Sequence, residues 1–238
     1  MRQAANLTAY SRDYGQKAIV ATIHSAVAHN KTARQIFNPD SILAFLPLAD
    51  PNLCSIVWST TPDKVLQLLQ ADPDEFCQQL AVEFEQRLGA LILHGSRAAF
   101  PLRMLHVENY IGPRIALVGD AAHVVHPLAG QGLNLGILDA AALAEVIVNA
   151  RTAGQDIGAH LVLRKYERWR KGHNTNMLAL IDGLKNICVR KADWLAELRN
   201  SGMQMVNQFD WLKNAMIRMA VGTNSGLPKY AYALQDDY

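Results

Sequence analysis

One stretch, Ile115 to Ala142, constrains this chain more than any other. Gly112-Pro113 introduces Arg114–Val118, an almost wholly apolar run of the kind that forms a strand buried on both faces of a parallel sheet. The run ends at Gly119-Asp120, which puts a carboxylate at the carboxyl end of a strand, where open α/β sheets make their ligand contacts. An ionised Asp there accepts hydrogen bonds from hydroxyl donors such as those of a sugar or ribityl chain. Downstream, Gly130-Gln131-Gly132 removes side chains just before a helix predicted over Leu133–Val148. The first amides of that helix lack intrahelical partners and lie at its positive end, so they favour negative charge. The spacing Gly130-x-Gly132-x-x-x-Gly136 is not the dinucleotide fingerprint, and these glycines follow Pro127 and a loop rather than a strand. A tight turn with close helix packing explains such glycines equally well, until Gly119-Asp120 is added upstream. Ala140, Ala141, Ala142 and Ala144 leave the helix little bulk, so it can press closely against a sheet.

Upstream, Ala18–Ala26, Ile42–Leu46 and Cys54–Ser59 read as strands separated by turn signals, which suggests a mostly antiparallel sheet. Pro62–Gln70 and Pro73–Leu88 switch to helical spacing, each opening with Pro in its first turn; Phe76, Leu80, Phe84 and Leu88 recur every four residues and Gly89 ends the second helix. Leu91–Leu102 is again extended. Beyond Gly158 the pattern predicts helices over Leu161–Leu184, Ala192–Gln208 and Trp211–Ala220, with a fraying tail from Gly222.

Composition excludes several classes. At 238 residues, 50% hydrophobic and 18% charged, the chain can bury a sizeable core. Its net charge of +2 and pI near 8.4 argue against nucleic acid as a partner. The longest stretch free of Lys, Arg, Asp and Glu, Ala121–Leu138, is broken by two histidines, Pro127 and glycines, so no transmembrane segment is expected. Cys54, Cys77 and Cys188 are odd in number, widely spaced and read as buried thiols, which fits a reducing cytoplasm. No secretory leader is read at the amino terminus. His123 and His126, three apart with no third ligand at a recognisable spacing, are read as loop histidines rather than a metal pair. Arg164, Lys165, Arg168, Arg170 and Lys171 are read as a solvated helix face paired through Glu167, with peripheral contact to anionic lipid as the minority reading. Met203, Met205, Trp194, Trp211, Met216 and Met219 give the last predicted helices an apolar, adaptable surface.

Gly119-Asp120-Ala121-Ala122-His123, His126-Pro127 and Ala129-Gly130-Gln131-Gly132-Leu133-Asn134 together resemble the second flavin motif of the class A FAD-dependent aromatic monooxygenases. The run from His126 through Leu128 to Gly136 is similar to their ubiquinone-biosynthesis hydroxylase branch. The flanks Ala33–Phe37, Leu43–Leu48, Ser55–Ser59, Phe100–Leu102 and Leu163–Arg168 agree, so the likeness covers most of the chain up to about Lys171. It implies an α+β / α/β fold: the carboxyl-terminal part of a para-hydroxybenzoate hydroxylase-like architecture. Residues 1–108 would form a mostly antiparallel substrate sheet with two helices, 109–155 the second half of the FAD domain, and 156–238 carboxyl-terminal helices. Members of the family open with a strand, a true G-x-G-x-x-G and a middle Asp-Gly motif, none of which is found here, so the chain is expected to work with an amino-terminal half.

The resemblance implies FAD as cofactor, NAD(P)H and O2 as co-substrates, and hydroxylation of a prenylated phenol through a C4a-hydroperoxyflavin. Gly119, Asp120, His126, Pro127, Leu128, Ala129, Gly130, Gln131, Gly132, Leu133 and Asn134 are the implied cofactor-binding residues. Within that set Asp120 would hold the ribityl hydroxyls, Pro127 would pack beside the isoalloxazine, and amides from Gly132 to Asn134 would face the N1 side of the ring. No side chain is assigned as acid or base, since the cofactor carries the difficult chemistry. Phe45, Pro47, Trp58, Phe100, Pro101 and Leu102 are the candidates for an apolar substrate roof, although core packing competes for each. A catalytically silent role as an assembly module is the alternative, and a cytoplasmic location with membrane association is expected.

Overall fold

The computed structural model describes residues 2, 5–38, 40–127, 130–189, 214 and 227–232. They divide into two compact units, one built on Asp13–Leu102 and the other on Met1–Arg12 with Arg103–Asn186. The division falls inside two 17-residue strands, β1 (Ala9–Ser25) and β5 (Leu91–Val107), which belong in part to each.

The first unit is an antiparallel sheet under two helices. Its other strands are β2 (Arg34–Asn38), β3 (Ser41–Pro47) and β4 (Leu53–Thr60), in the order β2-β3-β4-β1-β5. Register explains the core: Leu43, Trp58 and Ile19 stand opposite one another across β3, β4 and β1, as do Phe45, Ile56 and Ala21. Because side chains alternate along a strand, these rows share one face. They pack with Val65 and Leu68 of α1 (Pro62–Gln70) and with Phe76 and Leu80 of α2 (Pro73–Glu83). Both helices start as their sequences predict, with Thr61 and Asp72 side chains accepting from the amides of Lys64 and Glu75.

The end of α2 differs from the sequence reading. The helix stops at Glu83, and Glu85 and Gln86, at φ 55° and 54°, turn the chain left-handed. The Gln86 amide then reaches back to the Ala81 carbonyl at 2.8 Å, a closure of the kind that normally uses glycine. Phe84 and Leu88 are nevertheless buried, and Phe84 stacks on Phe45 with ring centroids 4.0 Å apart. The four-residue period therefore marked a buried side and overstated the helix.

The second unit holds the end of β5, paired with β8 (His123–Val124), and the hairpin of β6 (Ile111–Gly112) with β7 (Ile115–Ala116). The predicted strand Arg114–Val118 is thus reduced to two residues, and Ile115 is 41% exposed. Its apolar run finds no parallel partner among the described residues, and its ladder is the two-residue antiparallel pairing with β6. Two long helices complete the unit, α3 (Gln131–Thr152) and α4 (His160–Val189). The tail that was expected to fray includes a short helix, α5 (Lys229–Tyr232), whose Lys229 amide donates to Glu145 at 2.7 Å. The predicted helices 192–208 and 211–220, with Trp194, Met203, Met205, Trp211, Met216 and Met219, lie outside the described residues apart from position 214. The side chain of Cys188 also lies outside them.

Candidate functional site

Gly119 opens a single 3-10 turn, Gly119–Ala121, in the left-handed region at φ +55°. It sits against α3: a methyl group built on Gly136 would lie 3.3 Å from the Gly119 Cα, and one on Gly119 would lie 3.5 Å from the Gly136 Cα. Glycine at both positions therefore lets turn and helix touch backbone to backbone, and the third glycine of the loop motif has a packing role. Asp120, at the middle of the turn, is exposed to solvent. Arg2 reaches the main-chain carbonyls of Asp120 and Ala121 at 3.3 and 3.4 Å.

The amino end of α3 is built differently. Gly130 is its N-cap at φ +61°, and no side chain among the described residues caps the helix. A methyl group on Gly130 would meet nothing, and one on Gly132 would only touch Val125 at 3.7 Å. Among the described residues packing does not require glycine at 132 for space, whereas a ligand approaching the backbone would; at 130 the left-handed backbone already favours glycine. Leu133 and Asn134 are exposed, Gln131 and His126 are buried and Pro127 is half-buried. Leu128 and Ala129 lie outside the described residues. The chemistry of the groups, first-turn amides with no side-chain cap among the described residues and an exposed carboxylate on a turn packed against the same helix, fits a flavin with its anionic ring edge and ribityl hydroxyls.

Behind this surface lies a polar cluster that the sequence reading did not single out. Asp139, fully buried on α3, receives His123 Nε2 at 2.6 Å and the Gly119 amide at 3.1 Å on Oδ2. Its Oδ1 accepts from Arg170 Nε at 2.8 Å and Asn174 Nδ2 at 3.0 Å, both on α4. Burial alone would raise the Asp139 pKa, yet the bonds from His123, Arg170 and Asn174 outweigh it and hold the carboxyl below its ordinary value. Tyr110 and Tyr166 border the cluster, and burial pushes both phenols above the usual tyrosine range. Burial, then Lys171 and His123, lower His106, which stands opposite His123 across β5 and β8. The signal for Asp139 was available: it is the one acidic residue in the apolar, alanine-rich first half of α3.

The basic stretch of α4 is corrected accordingly. Arg164, Lys165 and Arg168 are exposed, but Arg170 is buried at 2% exposure beside Asp139. Lys171 donates to the Glu108 carbonyl, and Glu167 accepts from the Tyr110 amide at 2.8 Å instead of pairing along the helix. Helical spacing places Tyr166, Arg170 and Asn174 on one inward face, so the charge of Arg170 was misassigned to solvent. His123, read as a loop histidine, lies in β8 and bonds Asp139. Burial raises the thiols of Cys54 and Cys77. By length and mean hydropathy, 1.5, α3 passes as a membrane span, but its buried carboxylate is bonded to α4 and to the turn, which sets that face against protein.

The expected substrate roof is divided by the sheet. Phe45 and Trp58, each 1% exposed, point to the helix side and belong to the core, because the register places them in the rows under α1 and α2. Pro47, opposite Cys54, is half-buried on that same side of the pleat. Phe100 is 56% exposed, Pro101 is exposed and Leu102 is buried. The other face of the sheet carries Val20, Thr22, Ala44, Leu46, Ser55 and Val57, small or aliphatic side chains aligned by register.

Comparison with known proteins points to one family. Residues 11–179 match the FAD binding domain family. The chain is 35% identical to mouse ubiquinone biosynthesis monooxygenase COQ6, mitochondrial, over 92% of its own length and 53% of that protein's. It is 34% identical to 3-demethoxyubiquinol 3-hydroxylase of Escherichia coli K12, over 93% of the chain and 56% of the relative. The chain thus spans about half the length of the curated relatives it matches. Among solved structures, p-nitrophenol 4-monooxygenase PnpA from Pseudomonas putida DLL-E4 superposes with a TM-score of 0.73 at 16% identity, over 92% of this chain and 57% of that one. The glycine-lined helix start, the Gly-Asp turn packed on it and the family match across most of the sequence lead to one conclusion: the chain belongs to the FAD-binding domain family of the flavin monooxygenases.

Proposed function

We propose that this chain supplies the substrate sheet and the second flavin-binding segment of an FAD-dependent hydroxylase that acts on a prenylated phenol in ubiquinone biosynthesis. The observation that carries the reading is the backbone contact between Gly119 and Gly136, which packs the turn bearing exposed Asp120 against α3, a helix whose described residues give it no side-chain cap at its start. Bound flavin would take a hydride from NAD(P)H and activate O2 for transfer of one oxygen atom to the ring. This chain's residues would bind and orient: Asp120 would accept from ribityl hydroxyls, amides at Gly132–Asn134 would hold the electron-rich ring edge, and Pro127 would pack against the ring. A helix terminus contributes about 0.3–2 kcal/mol to holding such charge. The relatives' names, with their ubiquinone-pathway hydroxylations, support the substrate class.

An amino-terminal half completes the site in this reading. Leu133, Ile137 and Val148, 74%, 56% and 45% exposed, form an apolar stripe along α3, and Ile115 adds to the apolar surface of the same unit. That stripe also favours the second reading, in which the chain acts as an assembly module without its own catalysis. The two are separated by purifying the chain alone and with a supplied amino-terminal half. Bound yellow flavin and NAD(P)H-dependent oxygen uptake in the complemented preparation are expected; association of the halves without flavin in either preparation would leave only the assembly role.

A further inference from the structure

Asp139 ties three elements to one carboxylate, and its two oxygens serve different neighbours. Oδ2 faces the Gly119 amide and His123 on the flavin-loop side, while Oδ1 faces Arg170 and Asn174 of α4. The 3-10 turn at Gly119–Ala121 has no side-chain cap of its own. Gly119 is the residue whose left-handed backbone aims Asp120, and its amide is the donor that Asp139 holds. Just before the turn, the Leu117 carbonyl accepts from the Tyr166 hydroxyl of α4 at 2.7 Å, so the same helix grips the chain on the strand side. We infer that Asp139 is a positioning residue for the flavin-binding turn: through Gly119 it fixes the direction of Asp120, and it is itself held in place by Arg170 and Asn174. This rests on reading Gly119–Asp120 as a flavin contact.

The hydrogen-bond chemistry makes the inference specific. An ionised carboxylate accepts only, so the 2.6 Å contact places a hydrogen on His123 Nε2. Replacing Asp139 by Asn keeps the shape but turns one oxygen into an NH2 group. That group cannot face α4, because Arg170 Nε donates there and the Asn174 oxygen is already engaged by Arg170 Nη2 at 3.0 Å. It must face the loop. His123 can answer by moving its hydrogen to Nδ1, which has no hydrogen-bond partner among the described residues. The Gly119 amide cannot become an acceptor and loses its bond.

The test uses the full chain without flavin, followed by NMR amide exchange and imidazole 15N shifts. In Asp139→Asn, Gly119 should exchange at least fivefold faster while the sheet amides of Ile19 and Ile56 keep wild-type protection, and His123 should switch to the Nδ1–H form. A change below fivefold at Gly119, or a hydrogen retained on Nε2, overturns the assignment. If the sheet amides show that Asp139→Asn does not fold, Asp139→Leu with Arg170→Met removes both buried charges and leaves Gly119 without its acceptor. Wild-type exchange at Gly119 in that double variant then overturns it. The flavin reading is tested separately: unchanged FAD affinity in complemented Asp120→Ala removes that reading, while the exchange result at Gly119 stands on its own.

Discussion

Asp120 and Gly132 make opposite contributions to one surface. Asp120 presents a charged acceptor and is exposed, so Asp120→Ala should cost the folded chain little while removing hydrogen bonds of the charge-assisted kind, about 1.5–3 kcal/mol each. In a complemented preparation the expected result is a 10- to 100-fold rise in the FAD dissociation constant by flavin fluorescence titration. Gly132 contributes by absence. Its missing methyl would only touch Val125 at 3.7 Å, so Gly132→Val should melt near the wild-type temperature yet lose flavin content, measured as the ratio of 450 to 280 nm absorbance. A variant that melts normally and keeps its flavin would show that no ring approaches this backbone. Both residues are proposed from the sequence because the chemistry assigned to them depends on local motif. Asp139 was not, since its role depends on partners 20 residues before it and more than 30 after it.

At the scale of elements, α3 shows how propensity and packing compete. Alanine is favoured over glycine inside a helix by roughly 1 kcal/mol. At Gly136, however, the added methyl would stand 3.3 Å from the Gly119 Cα, so the turn must give by a few tenths of an ångström. Gly136→Ala should therefore hold thermal stability within about 1 kcal/mol of wild type while weakening FAD binding in the complemented protein. Stability and affinity falling together by more than that would show that the contact holds up the fold instead of shaping the turn. The strands and the first helix were readable from apolar runs, turn signals and an opening proline: Pro62–Gln70 is found as predicted, and the strand cores at Ile42–Leu46 and Cys54–Ser59 need only their ends extended. The first part of β1, Ala9–Lys17, and the whole of β2 were missed, because Tyr14, Gln16 and Arg34–Asn38 are polar or half-buried and carry no clean alternation.

For the molecule as a whole, the buried titratable groups set a pH window. Asp139 is held below its ordinary 3.8, so its contribution is complete above that value and is lost as pH falls through the lowered native value. His106, lowered from 6.5, is kept neutral in the fold, and its contribution starts to fade as pH drops below 6.5. Cys54 and Cys77, raised from 9.0, and Tyr110 and Tyr166, raised from 10.0, act in the other direction: their contribution is full below those values and is lost as pH rises past them. Melting temperatures followed by circular dichroism should be flat between about pH 7 and 9 and fall on both sides. A curve still rising toward pH 11 would contradict the buried phenols.

The four-way sharing of one carboxylate also bears on how this protein can be recombined with its relatives. A crossover placed between Gly119 and Asn174 would import a helix, a turn or a histidine whose donors were matched to a different acceptor. Hybrid genes joined outside that interval inherit the whole arrangement from a single parent, and those are the junctions a chimera library should keep.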